Sequence, residues 1–413
     1  MNMARADALT ARERLAAAGW IPKNSEFFHH LPPPPAAVWL GEQDDGAPTP
    51  VVEIDRRREA GWTLHPSGQG QPARVNAQWL DAAEPADRAA LLAGLPVPGD
   101  TGDLDSDRFS WAHRALCRHG LRLRVDADEA RRAPVSVVLR HRPRAAVEAP
   151  MLVIDVQPGA HCVLLEMHEH DTTADALVQN LDVHVTLGRG ARLEHLRVVT
   201  PGAEDRVAHR VFATLGEDAH YAQALVAAGS RYHLQRNELQ LSAPGATARS
   251  AGALFAAGTA MEQQVLTRHA APRTTSAVEA LMLASGKARG VANAFTRIEQ
   301  GADDADVRQR LSGIPIGGQP KLVLRPHLEI LHDKVQAAHG ATWGALPEDA
   351  LFYARQRGLD ERRARALIIE GMISALLARS IETPELLQGF GMEEILGSVT
   401  ARYLGADKEP AHG

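Results

Sequence analysis

The sequence predicts a mainly β protein, a solenoid of stacked strands with helical regions at either end of the chain. Three observations predict it. Turns recur as Pro158-Gly159-Ala160, Gly190-Ala191, Asp218-Ala219 and Gly245-Ala246, their alanines about 27–31 residues apart. The segments between them alternate: Val183, Val185 and Leu187 against His184, Thr186 and Gly188, then Leu239 and Leu241 against Glu238 and Gln240. That is the period of a strand with one buried face. No helical pattern long enough for a doubly wound fold lies between them. A rung of strand, turn and strand buries its apolar side only by stacking on the next rung, and such a stack has ends that must be capped or paired.

Composition bounds the rest. A chain of 413 residues is long enough for a sizeable core and two or three folding units. The net charge of −6 supplies no basic field for nucleic acid or an anionic membrane. Cys117 and Cys162 are the only cysteines, which excludes a disulfide framework and fits a reducing compartment. No apolar run approaches the ~18 residues of a membrane span. The expectation is a cytoplasmic protein.

In chain order, Ala4 to Trp20 reads as an amphipathic helix carrying Arg5, Arg12, Glu13 and Arg14, unlike the apolar core of a signal peptide. Leu31-Pro32-Pro33-Pro34-Pro35 forces an extended crossing. Short strand-like pieces such as Val51-Val52-Glu53-Ile54 follow, then alanine- and arginine-rich helices over 84–95 and 106–119, with Asp100 to Asp107 as a solvated acidic turn. From Pro134 the texture becomes β, beginning with Val135–Leu139 and Met151–Val156. The resulting division is 1–132 helical, 133–340 solenoid and 341–413 helical, with the helical pieces as caps on the stack. Asp360 caps a helix from Glu361 to Leu377 with Ala364, Leu367, Ile368, Gly371, Met372, Ala375 and Leu376 on one face. Two short helices, Thr383 to Leu387 and Met392 to Leu396, come after it.

The stretch from Pro326 to Gly358 is the densest. Leu328 and Ile330 alternate with His327 and Glu329 in a strand expected to run from Leu328 to Val335. His339-Gly340-Ala341-Thr342 reads as a hinge. A helix follows, with Pro347 in its first turn, Glu348 and Asp349 against the dipole, and Gly358 as a stop.

Elsewhere, Glu166, His168 and His170 share one strand face beside Asp171, a spacing that suits zinc or iron; Ala174 stands where a further carboxylate would be wanted, and a polar outer face is the plainer reading. His184, His195, His209, His220 and His233 are expected to be solvated. No Gly-Lys-Thr phosphate loop, Gly-x-Ser-x-Gly or CxxC is present. Nucleophilic catalysis therefore has no visible carrier, and the chain is expected not to be an enzyme. The competing classes are a metal-dependent enzyme built on Glu166, His168 and His170, and a carbohydrate-active β-helix enzyme, although the aromatic content of 4% is low for a sugar cleft.

Pro326-x-Leu328-Glu329-Ile330, the acidic Asp333, His339-Gly340-Ala341-Thr342 and the acidic helix with Leu351-Phe352-Tyr353 and Arg357-Gly358 resemble the SufB/SufD family, the scaffold subunits of SUF iron–sulfur cluster assembly. The likeness is densest from about Thr267 to Ile373, and the chain looks more like SufD than SufB. The resemblance implies a right-handed parallel β-helix that pairs with a SufB-like sister, a homodimer being the alternative for the isolated chain. It implies docking of a SufC-like ATPase through the C-terminal helices (347–396); charge and hydropathy already argue for no nucleic-acid and no membrane partner. Glu329, Asp333 and His339 are the site residues it implies, with His339 able to ligate metal jointly with the sister. No cofactor is expected on the isolated chain. A transient iron–sulfur cluster would form at the partner interface, and a flavin could join the complex. Two positions depart from the pattern: Ala337 stands where many relatives have cysteine, and Lys334 where they have a second aspartate. This chain then has no thiolate at that corner: either the sister would supply all the sulfur, or the subunit is chiefly architectural.

Overall fold

The computed structural model describes residues 3–41, 61–67, 74–99, 104–127, 134–143, 145–168, 176–383 and 391–404. The strand expected at Val51–Ile54, residues 100–103 of the acidic turn, His170, Asp171, Ala174 and residues 384–387 lie outside them. The first part of the chain forms α1 (Met3–Ala18), α2 (Ala36–Trp39), β1 (Trp62–Ser67), β2 (Val75–Asp81), α3 (Pro85–Leu92), α4 (Leu104–Leu116) and β3 (His119–Val125). Then come β4 (Val135–His141), β5 (Val147–Glu148), β6 (Met151–Val156), β7 (His161–His168), β8 (Val178–Leu187), β9 (Arg192–Val199), β10 (Arg206–Leu215), β11 (His220–Ala228) and β12 (Tyr232–Leu241). The third part holds β13 (Thr247–Ala257), β14 (Ala260–His269), β15 (Thr275–Ser285), β16 (Arg289–Ile298), β17 (Ala305–Pro315), β18 (Lys321–Ile330) and β19 (Val335–Trp343). The chain ends in α5 (Glu348–Gln356), α6 (Glu361–Ser380) and α7 (Met392–Leu404).

The strands form two sheets, ordered β1-β4-β7-β9-β11-β13-β15-β17-β19 and β18-β16-β14-β12-β10-β8-β6-β3-β2. From β6 onward successive strands alternate between the sheets, giving a parallel β-solenoid of about 8 turns. Parallel pairing starts with β3 against β6 and ends with β17 against β19, so the solenoid strands extend past both ends of the 133–340 interval.

The repeating turn has a stereochemical basis. Gly159, Gly190, Asp218 and Gly245 adopt φ of 70°, 62°, 52° and 74°, and Ala160, Ala191, Ala219 and Ala246 after them are fully buried. A left-handed residue reverses the chain in one step, and the small alanine behind it fits the interior corner. At Gly245 a Cβ would also lie 2.1 Å from Asp218 Oδ1, on the neighbouring rung.

The helices cover the sides of the solenoid, which corrects the expectation that they cap its ends. Ile369, Ile373, Leu376 and Leu377 of α6, with Met392 and Leu396 of α7, pack on Leu196, Val198, Val226, Phe255 and Leu283, the outward side of the first sheet. Leu15, Phe28, Leu31, Trp39 and Phe109 pack on Ala208, Leu234 and Val291, the outward side of the second. The reason lies in the outward faces, which carry Leu196, Val226 and Phe255 on the first sheet and Ala208, Leu234 and Val291 beside buried Arg210 and Arg236 on the second, so each sheet needs a cover as well as a core. The N-terminal end of the stack is closed instead by β1 and β2, which add antiparallel to β4 and β3.

Several boundaries shift. The helix expected over 106–119 is α4, from Leu104, so the acidic turn is helical at its end and Asp107 is buried. The second short C-terminal helix is a single 13-residue one. Asp360 does cap α6, accepting from Arg363 N at 2.8 Å, but the buried face is Ala364, Ile369, Ile373, Leu376, Leu377 and Ser380. Leu367, Gly371 and Ala375 face outward.

Candidate functional site

The C-terminal end of the stack is where the residues singled out in the sequence gather. Strand β18 stops at Ile330, residues 331–334 turn, and β19 runs from Val335, so the single strand expected from Leu328 to Val335 is two. His339 lies in the middle of β19, paired with Gln309 of β17, and the expected hinge is strand. A ladder to β17 outweighs the flexibility of Gly340, whose φ is not left-handed. Among the described residues both terminal strands have a neighbour on one side only, since β18 and β19 each end a sheet. Pro326 in β18 is tolerated for that reason.

Backbone direction at this edge follows from one bond. Gly344 N donates to Gly313 O of β17. Alternate N–H groups of a strand point the same way, so those of residues 336, 338, 340 and 342 face β17. Those of Ala337, His339, Ala341 and Trp343 face the free edge. The His339 side chain is exposed, as are those of Ala337 and Ala338, and Ile330, Leu331 and Trp343 beside it are 45%, 46% and 60% exposed. Glu329 is engaged with Arg297 at 3.2 Å on the outward side of β18. Asp333 sits in the turn with its carboxylate 4.0 Å from His332 Nδ1. No hydrogen bond or ion pair among the described residues joins either carboxylate to His339, so the three site residues share one end of the stack without forming a cluster.

The interior holds a polar layer that the sequence reading missed. Glu166 and His168 point inward, in phase with Cys162 and Leu164 of the core, which corrects their assignment to an outer face. His195, His209 and His233 are fully buried, and His184 and His220 half-buried, so none of these histidines is freely solvated. Glu166 accepts from His168 Nε2 at 2.5 Å, His195 Nε2 at 2.8 Å and Arg197 at 3.0 Å. The donors then run consistently outward. Tyr221 donates to His195 Nδ1 at 3.1 Å. Arg197 donates to Gln235 at 3.1 Å, and Gln235 to His233, whose Nδ1–H goes to Ala228 O. His209 accepts from Arg197 and donates to Gln179, which donates to Glu148 at 2.6 Å.

Electrostatics explain the protonation states. Burial pushes the Glu166 carboxyl up, but the Arg197 guanidinium and the two imidazoles outweigh it and hold it well below the usual carboxylate range. Burial drives His168, His195 and His209 down, and His233 to about 4. At its centre the layer is thus one carboxylate, Glu166, one guanidinium, Arg197, and neutral rings. Arg197 against Glu166 disfavours a cation there, and no group of three or more metal-ligating side chains occurs among the described residues. A list of polar residues at alternating strand positions could have found the layer; which face they took could not be read.

Neither thiol is poised for chemistry. Cys117 and Cys162 are buried and free, and desolvation pushes each up to about 12, so neither forms a thiolate at neutral pH. On the C-terminal helices, Phe352, Tyr353 and Leu367 are 64%, 58% and 57% exposed. Among the described residues no helix is long and apolar enough to cross a membrane.

Comparison with known proteins bears on the family of the chain. The family described as "SUF system FeS cluster assembly, SufBD core domain" matches residues 139–372. Iron-sulfur cluster assembly protein SufD of Escherichia coli (strain K12) is 29% identical over 124 residues, 30% of this chain and 28% of that protein. The SufBD family protein slr0076 of Synechocystis sp. is 30% identical over 90 residues, 22% of this chain and 20% of the relative. The SufBD family protein ML0594 of Mycobacterium leprae is 26% identical over 305 residues, 69% of this chain and 74% of the relative. The matches to the first two thus span under a third of their length. With a family match over more than half of the residues, laid on the solenoid and its first C-terminal helices, the chain belongs to the SufBD family of SUF iron–sulfur cluster assembly proteins.

Proposed function

We propose that this chain is a SufD-like scaffold subunit, not itself an enzyme, that pairs edge to edge with a SufB-like sister through β18 and β19. The observation that carries the reading is the pair of free sheet edges at one end of the solenoid, bearing His339 and the apolar Ile330, Leu331 and Trp343. Free edges offer unmet N–H and C=O groups, and a partner strand is what satisfies them. The cluster is cargo, formed where the two scaffolds meet and then released. Iron prefers thiolate and accepts imidazole. With both thiols of this chain buried and protonated, the sulfur ligands come from the sister and His339 is this chain's donor. A homodimer of the isolated chain uses the same edges.

The SufC-like ATPase docks on the C-terminal helices through Phe352, Tyr353 and Leu367, large side chains that stand mostly exposed. The deciding experiment is co-purification from the native extract followed by cluster assembly on the recovered complex. His339→Ala should keep the partners and slow assembly. Unchanged assembly would leave this chain an architectural subunit.

A further inference from the structure

Beneath His339 lies a buried side chain with an unused acceptor. Gln309 is the ladder neighbour of His339, so both side chains leave the same face, the one from which Leu311 enters the core. Neighbouring strands lie about 4.8 Å apart, within reach of a glutamine amide for an imidazole ring. Gln309 is only 4% exposed. Its Nε2 donates to Thr296 Oγ1 at 2.8 Å and to the His327 carbonyl at 3.1 Å, across the interior on β16 and β18. A carbonyl can only accept, so the contact with His327 fixes which end of the amide is nitrogen. Among the described residues Gln309 Oε1 is left buried without a donor. Buried acceptors are rarely left so, and an imidazole that ligates metal commonly gives its second ring N–H to such an oxygen.

We propose that Gln309 is a positioning residue for His339. When a partner strand covers the last rung, Gln309 Oε1 accepts one ring N–H of His339. This fixes a single tautomer and turns the other, bare nitrogen toward the iron held at the interface. The inference rests on the reading of His339 as a ligand, and deepens it. It also gives the exposed ring a reason to stay mobile until the partner arrives, as its anchor lies in this chain and its lid in the other.

The test uses the complex recovered from the native extract, and the chain alone, both free of iron. Gln309→Met keeps the length and removes the acceptor; Gln309→Glu keeps an oxygen at the same reach. Deuterium exchange at the ring C2 of His339, read by mass spectrometry, should quicken with Gln309→Met in the complex and stay unchanged in the chain alone. Cluster assembly should fall about tenfold in Gln309→Met and recover for the most part in Gln309→Glu. In a His339→Ala background Gln309→Met should cost nothing more. Equal losses in both backgrounds, or C2 exchange indifferent to Gln309→Met, would overturn the proposal. If His339→Ala alone leaves assembly unchanged, the ligand reading fails, and C2 exchange still decides whether Gln309 holds the ring.

Discussion

Arg197 shows how much rests on single buried side chains. It is fully buried, bonded to Glu166 at 3.0 Å and to Gln235 at 3.1 Å. Replacing it with leucine leaves an uncompensated carboxylate inside the solenoid, which should cost about 3–5 kcal/mol. Leucine at both 166 and 197 should cost clearly less than Arg197→Leu alone, measured by urea unfolding. Glu262 gives a pH dependence. It is buried under the N-terminal segment, where it accepts from Gln264 and Asn293; burial pushes it from 4.5 to about 8 against the lowering by Gln264 and Arg236. A carboxyl raised in the folded state favours folding fully below the unfolded pKa, and that contribution is lost as pH rises from about 4.5 through 8. Glu262→Gln cannot ionise, so its melting temperature relative to the unmodified chain should rise between pH 5 and pH 9. Parallel curves would place the charge elsewhere.

At the scale of elements, the turns and the outer helices carry separate tasks. Gly245 combines φ of 74° with a Cβ position 2.1 Å from Asp218 Oδ1. Gly245→Ala should therefore destabilise by about 1–3 kcal/mol, while an exposed glycine with open space, such as Gly371, should accept alanine and gain from its helix propensity. The C-terminal helices cannot be cut away to test docking, because Leu196, Val226 and Phe255 would lose their cover. Leu367→Glu with Phe352→Ser spares that cover. The pair should abolish ATPase co-purification and leave the melting temperature within a degree or two; retained binding would move the ATPase to another face.

For the whole molecule, the free end decides assembly. The N-terminal end is closed by antiparallel β1 and β2, while β18 and β19 end their sheets unpaired among the described residues. Ala337→Pro removes an N–H on the free edge of β19 without touching the bonds to β17, and edge strands tolerate proline. The chain should fold and bind the ATPase, yet lose its scaffold partner in sedimentation or co-purification. Ala338→Pro, one residue on, should instead break the β17 ladder and lower stability. If both behave alike, the edge is not the pairing surface.

The sequence by itself determined the solenoid, because the turn chemistry repeats at a nearly fixed interval and each turn needs a left-handed residue before a small buried one. It also determined the end where His339, Glu329 and Asp333 lie, through a motif whose residues are consecutive in the chain. Tertiary structure decided the rest. Alternation reveals that a strand has two faces and never which of them is inside, so Glu166, His195, His209 and His233 could be read as solvated when they fill the interior. The same ambiguity hid the side covers, since an apolar outward face looks in sequence like a fully buried strand. Gln309 was illegible for a related reason: its partner lies one rung away, about thirty residues on, and only the register of β17 against β19 brings them to one face.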